Sequence, residues 1–164
     1  MAKVNLFPDF REFLESLNSA GVRYLVVGGY AVIHYGYPRT TNDLDVWIAA
    51  DPANARRVSR VLQQFAGFPS GRVKPSMFQA LGKVFIFGRE PVRIDLLTGP
   101  DGVDFDQAYA RRLEVKWDGI DVPLISLEDL KKNKAASGRA KDLADLDALP
   151  PARKTQQRRK RRSH

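Results

Sequence analysis

The stretch "VVGGYAVIHYGYPRTTNDLDVWI", residues 26–48, runs a short apolar strand into Gly28-Gly29 and then delivers two carboxylates, Asp43 and Asp45, one residue apart. Aspartate is a poor strand former. The alternation nevertheless continues to Ile48, with Leu44, Val46 and Ile48 on one face and Asp43, Asp45 and Trp47 on the other. Turn chemistry at Asn42-Asp43 is the competing reading; the pattern through Ile48 favours a strand. Two like charges on one strand face repel, so a compensating partner is expected elsewhere in the chain.

A third acid fits that search. In "VRIDLL" (92–97), Val92, Ile94 and Leu96 make a core face, and Asp95 points the other way together with Arg93. If this strand neighbours the first, three carboxylates converge. At ~6 Å and an effective dielectric of ~20, each like-charged pair costs roughly 3 kcal/mol. A bound divalent cation removes that cost, and hard oxygen donors of this kind suit Mg²⁺ or Mn²⁺. The alternative for Asp95 is a plain ion pair with Arg93.

The Gly28-Gly29 turn allows close approach of a phosphate to the backbone. Arg39, Thr40 and Thr41 stand just before the aspartates and can add donors. Arg39 could equally bind a carboxylate of the trio.

Taken together, "VGGYAVIHYGYPRTTNDLDVWI" and the later "RIDLL" resemble the signature of the DNA polymerase β-like nucleotidyltransferase superfamily. The resemblance is closest to its small bacterial branch of minimal nucleotidyltransferases and AbiEii toxin-like proteins. It covers residues 22–49, 92–98 and 126–149. It implies that Gly28 and Gly29 hold nucleotide phosphates, and that Asp43, Asp45 and Asp95 ligate metal and serve catalysis. Arg39, Thr40 and Thr41 would assist nucleotide binding. The implied reaction is attack of an acceptor hydroxyl on the α-phosphate of an NTP, releasing pyrophosphate. Acceptors consistent with the branch are a tRNA end, a partner protein or a small molecule, possible in a toxin–antitoxin or phage-defence setting. A non-catalytic module of the same fold, binding RNA or a protein, is the alternative.

The rest of the chain supplies the frame. "PDFREFLESLNSAG" (8–21) places Phe10, Phe13, Leu14 and Leu17 at helical spacing, with Gly21 as a stop. "DPANARRVSRVLQQF" (51–65) is a helix capped by Asp51 with Pro52 in its first turn. A short helix is expected over 30–36 and another over 104–112. Strands over 83–88 and 91–99 form a hairpin, as does 113–125 around Asp118-Gly119. "SLEDLKKNKAASGRAKDLADLDAL" (126–149) is helical, with Ser126 and Asp129 as a variant capping box and a weak point at Ser137-Gly138. The element order predicts an α/β (α+β) fold: a mixed sheet with helices mainly on one side.

That last segment resembles the final motif of the toxin-like branch. The matching residues are Lys134, Arg139, Lys141, Asp142 and Asp145. If the helix is unbroken, Lys134, Lys141 and Asp145 share a face, and the resemblance assigns Lys134 to the triphosphate, with Arg139 or Lys141 assisting. The competing reading is a solvent face laced with ion pairs.

Of the remaining candidates, Trp47 reads as packing under a helix rather than a base stack, and His34 as a packed helix residue. "GFPSGRVKPS" (67–76) lacks the glycine spacing of a phosphate loop and reads as a mobile loop over the site.

The bulk numbers set limits. The 164 residues suit about one domain, here 1–150, and 43% hydrophobic with 28% charged content is ordinary for a globular chain. With no cysteine, disulfides, thiolate metal sites and a cysteine nucleophile are excluded, and a cytoplasmic setting is expected. "MAKVNLFPDF" holds no apolar run long enough for a signal sequence, and no stretch suits a membrane span. The net charge of +8 is concentrated in Arg153, Lys154, Arg158, Arg159, Lys160, Arg161 and Arg162; without these seven the body carries +1. The basic segment 151–164 is expected to be a disordered tail, or an arm that grips RNA or DNA phosphates.

Overall fold

The structure, a computed structural model, describes residues 4–37, 40–65, 67–69, 71–89, 92–99 and 103–151. Arg39 and the basic run 153–162 lie outside the described residues.

Two sequence runs build the centre. The apolar run ahead of the glycines forms β1 (Tyr24–Val27), buried along its whole length. The Asp-Leu-Asp run forms β2 (Asp43–Ile48), which lies antiparallel to β1 with Val27 opposite Asp45. Between them sits α2 (Gly28–His34). It starts on the glycines themselves, two residues earlier than their helix-breaking character predicts, because Gly28 takes a positive φ of 67° at its first position.

The chain continues through α3 (Pro52–Phe65), a 3-10 turn at Pro75–Phe78, β3 (Val84–Arg89) and β4 (Val92–Leu97). It then runs through α4 (Phe105–Ala110), β5 (Leu113–Trp117), β6 (Ile120–Leu124), α5 (Leu127–Ser137) and α6 (Ala140–Ala148), after the opening α1 (Pro8–Ser19). Apart from the 3-10 turn, this is the order expected from the sequence. The six strands line up as β3-β4-β2-β1-β6-β5. Pairs β1/β6 and β2/β4 are parallel and the others antiparallel, so the sheet is mixed.

One face of the sheet is the core. Leu44, Val46 and Ile48 are fully buried, and so are Phe10, Phe13, Leu14 and Leu17 of α1 and Val58 of α3. Phe13 and Phe65 join α1 to α3 with ring centroids 5.3 Å apart. These side chains sit at helical spacing on one and at period two on the other, which is what lets helix and sheet share an interior. On the opposite face Trp47 is 1% exposed and meets the Phe105 ring edge-on at 5.1 Å. It packs under a helix, as expected, and is not free to stack on a base.

The local signals hold at the caps. Asp51 accepts from the Asn54 backbone N–H at 3.0 Å, and Ser126 Oγ accepts from the Asp129 N–H at 3.1 Å. The β5–β6 hairpin turns through Asp118 (φ 51°) and Gly119 (φ 79°), the backbone that a two-residue hairpin loop of type I′ requires. The weak point at Gly138 becomes a real break: its φ of 66° ends α5 and separates it from α6.

One expectation is corrected. The stretch 67–76 is not a loop over the carboxylates. Val73 is 4% exposed and its carbonyl accepts from Ser59 Oγ of α3 at 2.6 Å. The next residues bury Phe78 against Phe85 at 4.9 Å. Apolar side chains at 73 and 78 draw the segment onto the core instead.

Candidate active site

The parallel pairing of β2 with β4 decides the site. It sets Asp43 beside Arg93, Asp45 beside Asp95 and Trp47 beside Leu97. Because side-chain direction repeats every two residues, Asp43, Asp45 and Asp95 share the face opposite the core. The three acids line one cavity of about 540 Å³ together with Gly28, Gly29, Arg93 and Lys134. Asn133, Ser137, Arg139, Lys141 and Asp142 complete its far wall. Thr40 and Thr41 do not line it.

Arg93 supplies the first compensation. Its Nη2 donates to Asp43 Oδ2 at 3.0 Å and to Asp95 Oδ2 at 3.2 Å, and its Nε donates to Asp95 Oδ1 at 3.0 Å. Both readings of Asp95 are therefore realised at once: it converges with the Asp-Leu-Asp pair, and it is Arg93's partner. Asp45 has no such donor among the described residues. Burial, then Asp95, then Asp43 push its carboxyl up to about 7, against a weaker pull from Lys134 and Lys141. Among the described residues no group of three acids is arranged to hold a metal ion; the Arg93 guanidinium engages Asp43 and both oxygens of Asp95.

The glycines answer to these side chains. A Cβ at Gly28 would overlap the Asp45 carboxylate, and one at Gly29 would come within 2.8 Å of Thr41 Oγ1. Thr41 Oγ1 in turn donates to the Asp43 carbonyl at 3.2 Å, so Thr41 shapes the entry to β2 from outside the cavity. With a positive φ and a carboxylate against it, Gly28→Ala costs at least ~2 kcal/mol. Urea denaturation measures this; an alanine variant as stable as the parent removes the claim that Asp45 sits over the glycine.

Lys134 lines the cavity with the three acids, and its surroundings are not the solvent face of the competing reading. The break at Gly138 folds α6 back, and the Lys134 ammonium donates to Asp142 Oδ1 at 3.0 Å and lies 3.1 Å from Asp145 Oδ2. Lys134, Asp142 and Asp145 are 6%, 1% and 3% exposed, so this is no solvent face. The one-face geometry of an unbroken helix does not exist here; the helix turn, not the 3.6-residue period, joins these charges. Burial alone would push the Asp142 carboxyl up, but hydrogen bonds from Ser137, Arg139 and Lys134 outweigh it and hold it down at about 2.

Sequence reasoning missed Asn133 and Ser137 in this wall, whose placement needed the bend at Gly138. It named Arg93 as a partner for Asp95 but not its second bond, to Asp43. The signal for Arg93 was present: two residues before Asp95, it had to share the acid face.

His34 is a packed residue, 7% exposed, its Nδ1 accepting from Trp117 Nε1 at 3.4 Å. Among the described residues no helix is long and apolar enough to cross a membrane.

Known proteins with this architecture agree with the reading of the fold. A structure of a candidate nucleotidyltransferase from Thermotoga maritima superposes with a TM-score of 0.52 at 18% identity, covering 85% of this chain and 88% of that one. An antigenic nucleotidyltransferase-like protein from Paracoccidioides brasiliensis gives 0.54 at 21% identity, over 82% and 70%. The lincosamide antibiotic adenylyltransferase LnuA, bound to lincomycin, gives 0.52 at 17% identity, over 88% and 96%. At such identities the likeness is one of fold. No curated protein matches the chain. A family model described as nucleotidyltransferase of unknown function (DUF6036) matches residues 4–150, and the chain belongs to that nucleotidyltransferase family.

Proposed function

We propose that the protein is a divalent-metal-dependent nucleotidyltransferase that moves a nucleotide from an NTP to an acceptor hydroxyl. The observation that carries this reading is the β2/β4 register, with Asp45 opposite Asp95 and Asp43 one pleat away. The donor set is all carboxylate oxygen, and among the described residues no cation makes a hydrogen bond or ion pair with Asp45; both features fit Mg²⁺ or Mn²⁺ held by Asp43, Asp45 and Asp95. When bound, such an ion supplies charge neutralisation around the α-phosphate and the entering and leaving oxygens. The acceptor oxygen forms a bond to the α-phosphorus, the bond to the β-phosphate bridge breaks, and pyrophosphate departs. Asp95 takes the hydroxyl proton. Gly28 and Gly29 leave the cavity wall free of side chains beside these acids, where the NTP phosphates would lie. Lys134 and Lys141 bring positive charge from the opposite wall, and Arg39 and Thr40 are proposed as further donors to the nucleotide.

A second cavity of about 450 Å³ adjoins the first and shares Gly82 and Gly99 with it. Trp47 and Phe105 are among its lining, and Asp51, Asp104 and Asp106 face it, with Arg23 as the single cation among the described residues. As the acceptor's place, this surplus of acid suits a neutral or amine-bearing molecule better than a phosphate backbone. An RNA acceptor such as tRNA would have to rely on the basic segment 151–164, read as an appendage to the catalytic unit 1–150. Kinship to the AbiEii toxin-like branch, with a toxin–antitoxin or phage-defence setting, rests on the Lys134, Asp142 and Asp145 pattern. Nothing favours the non-catalytic module specifically.

The test is incubation with α-labelled NTPs and Mg²⁺, separately against total tRNA, a cell protein extract and a panel of aminated hydroxyl compounds. Label appears on one class, and Asp43→Asn with Asp45→Asn removes it. A catalytic site also gains thermal stability from a non-hydrolysable NTP with Mg²⁺, about 2.7 kcal/mol at a hundredfold excess over Kd. Binding without transfer to any class would instead mark the protein as a binding module.

A further inference from the structure

The Arg93 guanidinium occupies the position where the carboxylate trio most needs positive charge. It lies on the same face of the sheet, is planar and permanently charged, and spends three hydrogen bonds on Asp43 and Asp95 at 3.0–3.2 Å. Three of the four outer-acid oxygens are therefore already claimed: Asp43 Oδ2, Asp95 Oδ1 and Asp95 Oδ2. Asp45 lies between those two acids on β2 and β4, without a share in the guanidinium. Arg93 is about one-third exposed at the cavity wall, so it has room to leave.

We infer that Arg93 is a built-in counter-ion that competes with the divalent cation for Asp43 and Asp95, so that loading the site requires the guanidinium to let go. This rests on the proposed reading of the trio as a metal site. Each carboxylate oxygen keeps a second lone pair, so the contest is one of charge: at ~4 Å the repulsion between the guanidinium and a divalent ion in a partly enclosed pocket is several kcal/mol. Arg93 thereby keeps the acids together without metal, and it lowers the affinity for free metal ions. Its role is positioning: it acts through the carboxylates and not on the reacting atoms.

The experiment is Mn²⁺ titration, followed by the loss of the free-ion electron paramagnetic resonance signal, with no nucleotide present. Arg93→Met binds Mn²⁺ at least tenfold more tightly than the parent. Lys141→Gln, which removes an exposed cation from the opposite wall of the same cavity, changes affinity less than threefold; an equal change in both variants reduces the effect to bulk charge and overturns the inference. Equal or weaker binding by Arg93→Met overturns it too, while leaving the metal reading intact. No binding by either protein removes the metal reading and the inference with it. A readout in the parent itself does not depend on the variant's folding. The Arg93 Nε–H resonance, identified by its absence in Arg93→Lys, moves in step with Mg²⁺ occupancy. A resonance that stays put while the Asp45 amide titrates shows that the guanidinium never leaves, and sinks the proposal.

Discussion

Asp45→Asn abolishes nucleotidyl transfer and, in metal-free buffer at pH 8, raises the melting temperature. The two effects have one cause. Asp45 is driven up to about 7 by burial and by Asp95 and Asp43. A carboxyl whose folded value is raised is comfortable while protonated. Its contribution to stability falls as pH climbs from its unfolded value near 4 through about 7, and the full deficit is present above that. One unit is worth about 1.4 kcal/mol, which sets a ceiling near 4 kcal/mol; with solvent at the cavity mouth screening part of it, roughly 2 kcal/mol remains. Asparagine has the same shape without the charge, so the variant melts about 4–8 °C higher at pH 8. The gain vanishes by pH 4. Calorimetry in EDTA across that range checks it, and a variant that melts lower than the parent at pH 8 removes the strained-trio account. Transfer drops on the order of 10²–10³-fold or more, the scale of losing one preorganised electrostatic partner. Mg²⁺ stabilises the parent more than the variant.

Lys134→Met destabilises by ~3–5 kcal/mol, because one partner of a buried charge cluster is removed and the others stay behind. Asp142 and Asp145 are almost wholly buried around the ammonium. Ser137 and Arg139 still bond Asp142 at 2.6 and 2.7 Å, so the variant folds, but α6 loosens from α5. Adding Asp145→Asn returns part of the loss, on the order of 1 kcal/mol, by relieving a buried carboxylate that has lost its contact with Lys134. Urea denaturation of the single and double variants measures the coupling. Asp142 sets the acid limit of this cluster. Held at about 2, it contributes stability that is present above its unfolded value near 4 and lost as pH falls toward 2. If instead Lys134→Met leaves stability unchanged and only raises KM for the NTP, the lysine is a substrate ligand alone.

The carboxylate trio was legible because a period of two leaves no choice. Once Leu44, Val46 and Ile48 are apolar, Asp43 and Asp45 must face away from them, and the same holds for Asp95 after Ile94 and Leu96. The helices at 8–19 and 52–65 were legible from apolar spacing and caps, and the hairpin at Asp118-Gly119 from its turn residues. The conformation at Gly28-Gly29 was not. Its demand comes from Asp45 and Thr41, seventeen and twelve residues further along the chain, and no local preference encodes such an approach. The far wall of the cavity was hidden for a related reason. A helical wheel assumes one axis, and Gly138 supplies two.

By itself, then, the sequence determined which residues face the core, which acids face away from it, and where each element begins and ends to within a residue or two. Those are short-range matters, governed by side-chain period, caps and turn residues. Only the tertiary structure decided that β2 and β4 lie side by side and in parallel. It also decided that Asp45 sits opposite Asp95, that Arg93 bonds both outer acids, and that Lys134 is enclosed by Asp142 and Asp145. Strand order and register are chosen by burial summed over the whole sheet, and a charge far away in the chain acquires its partner only after that choice is made.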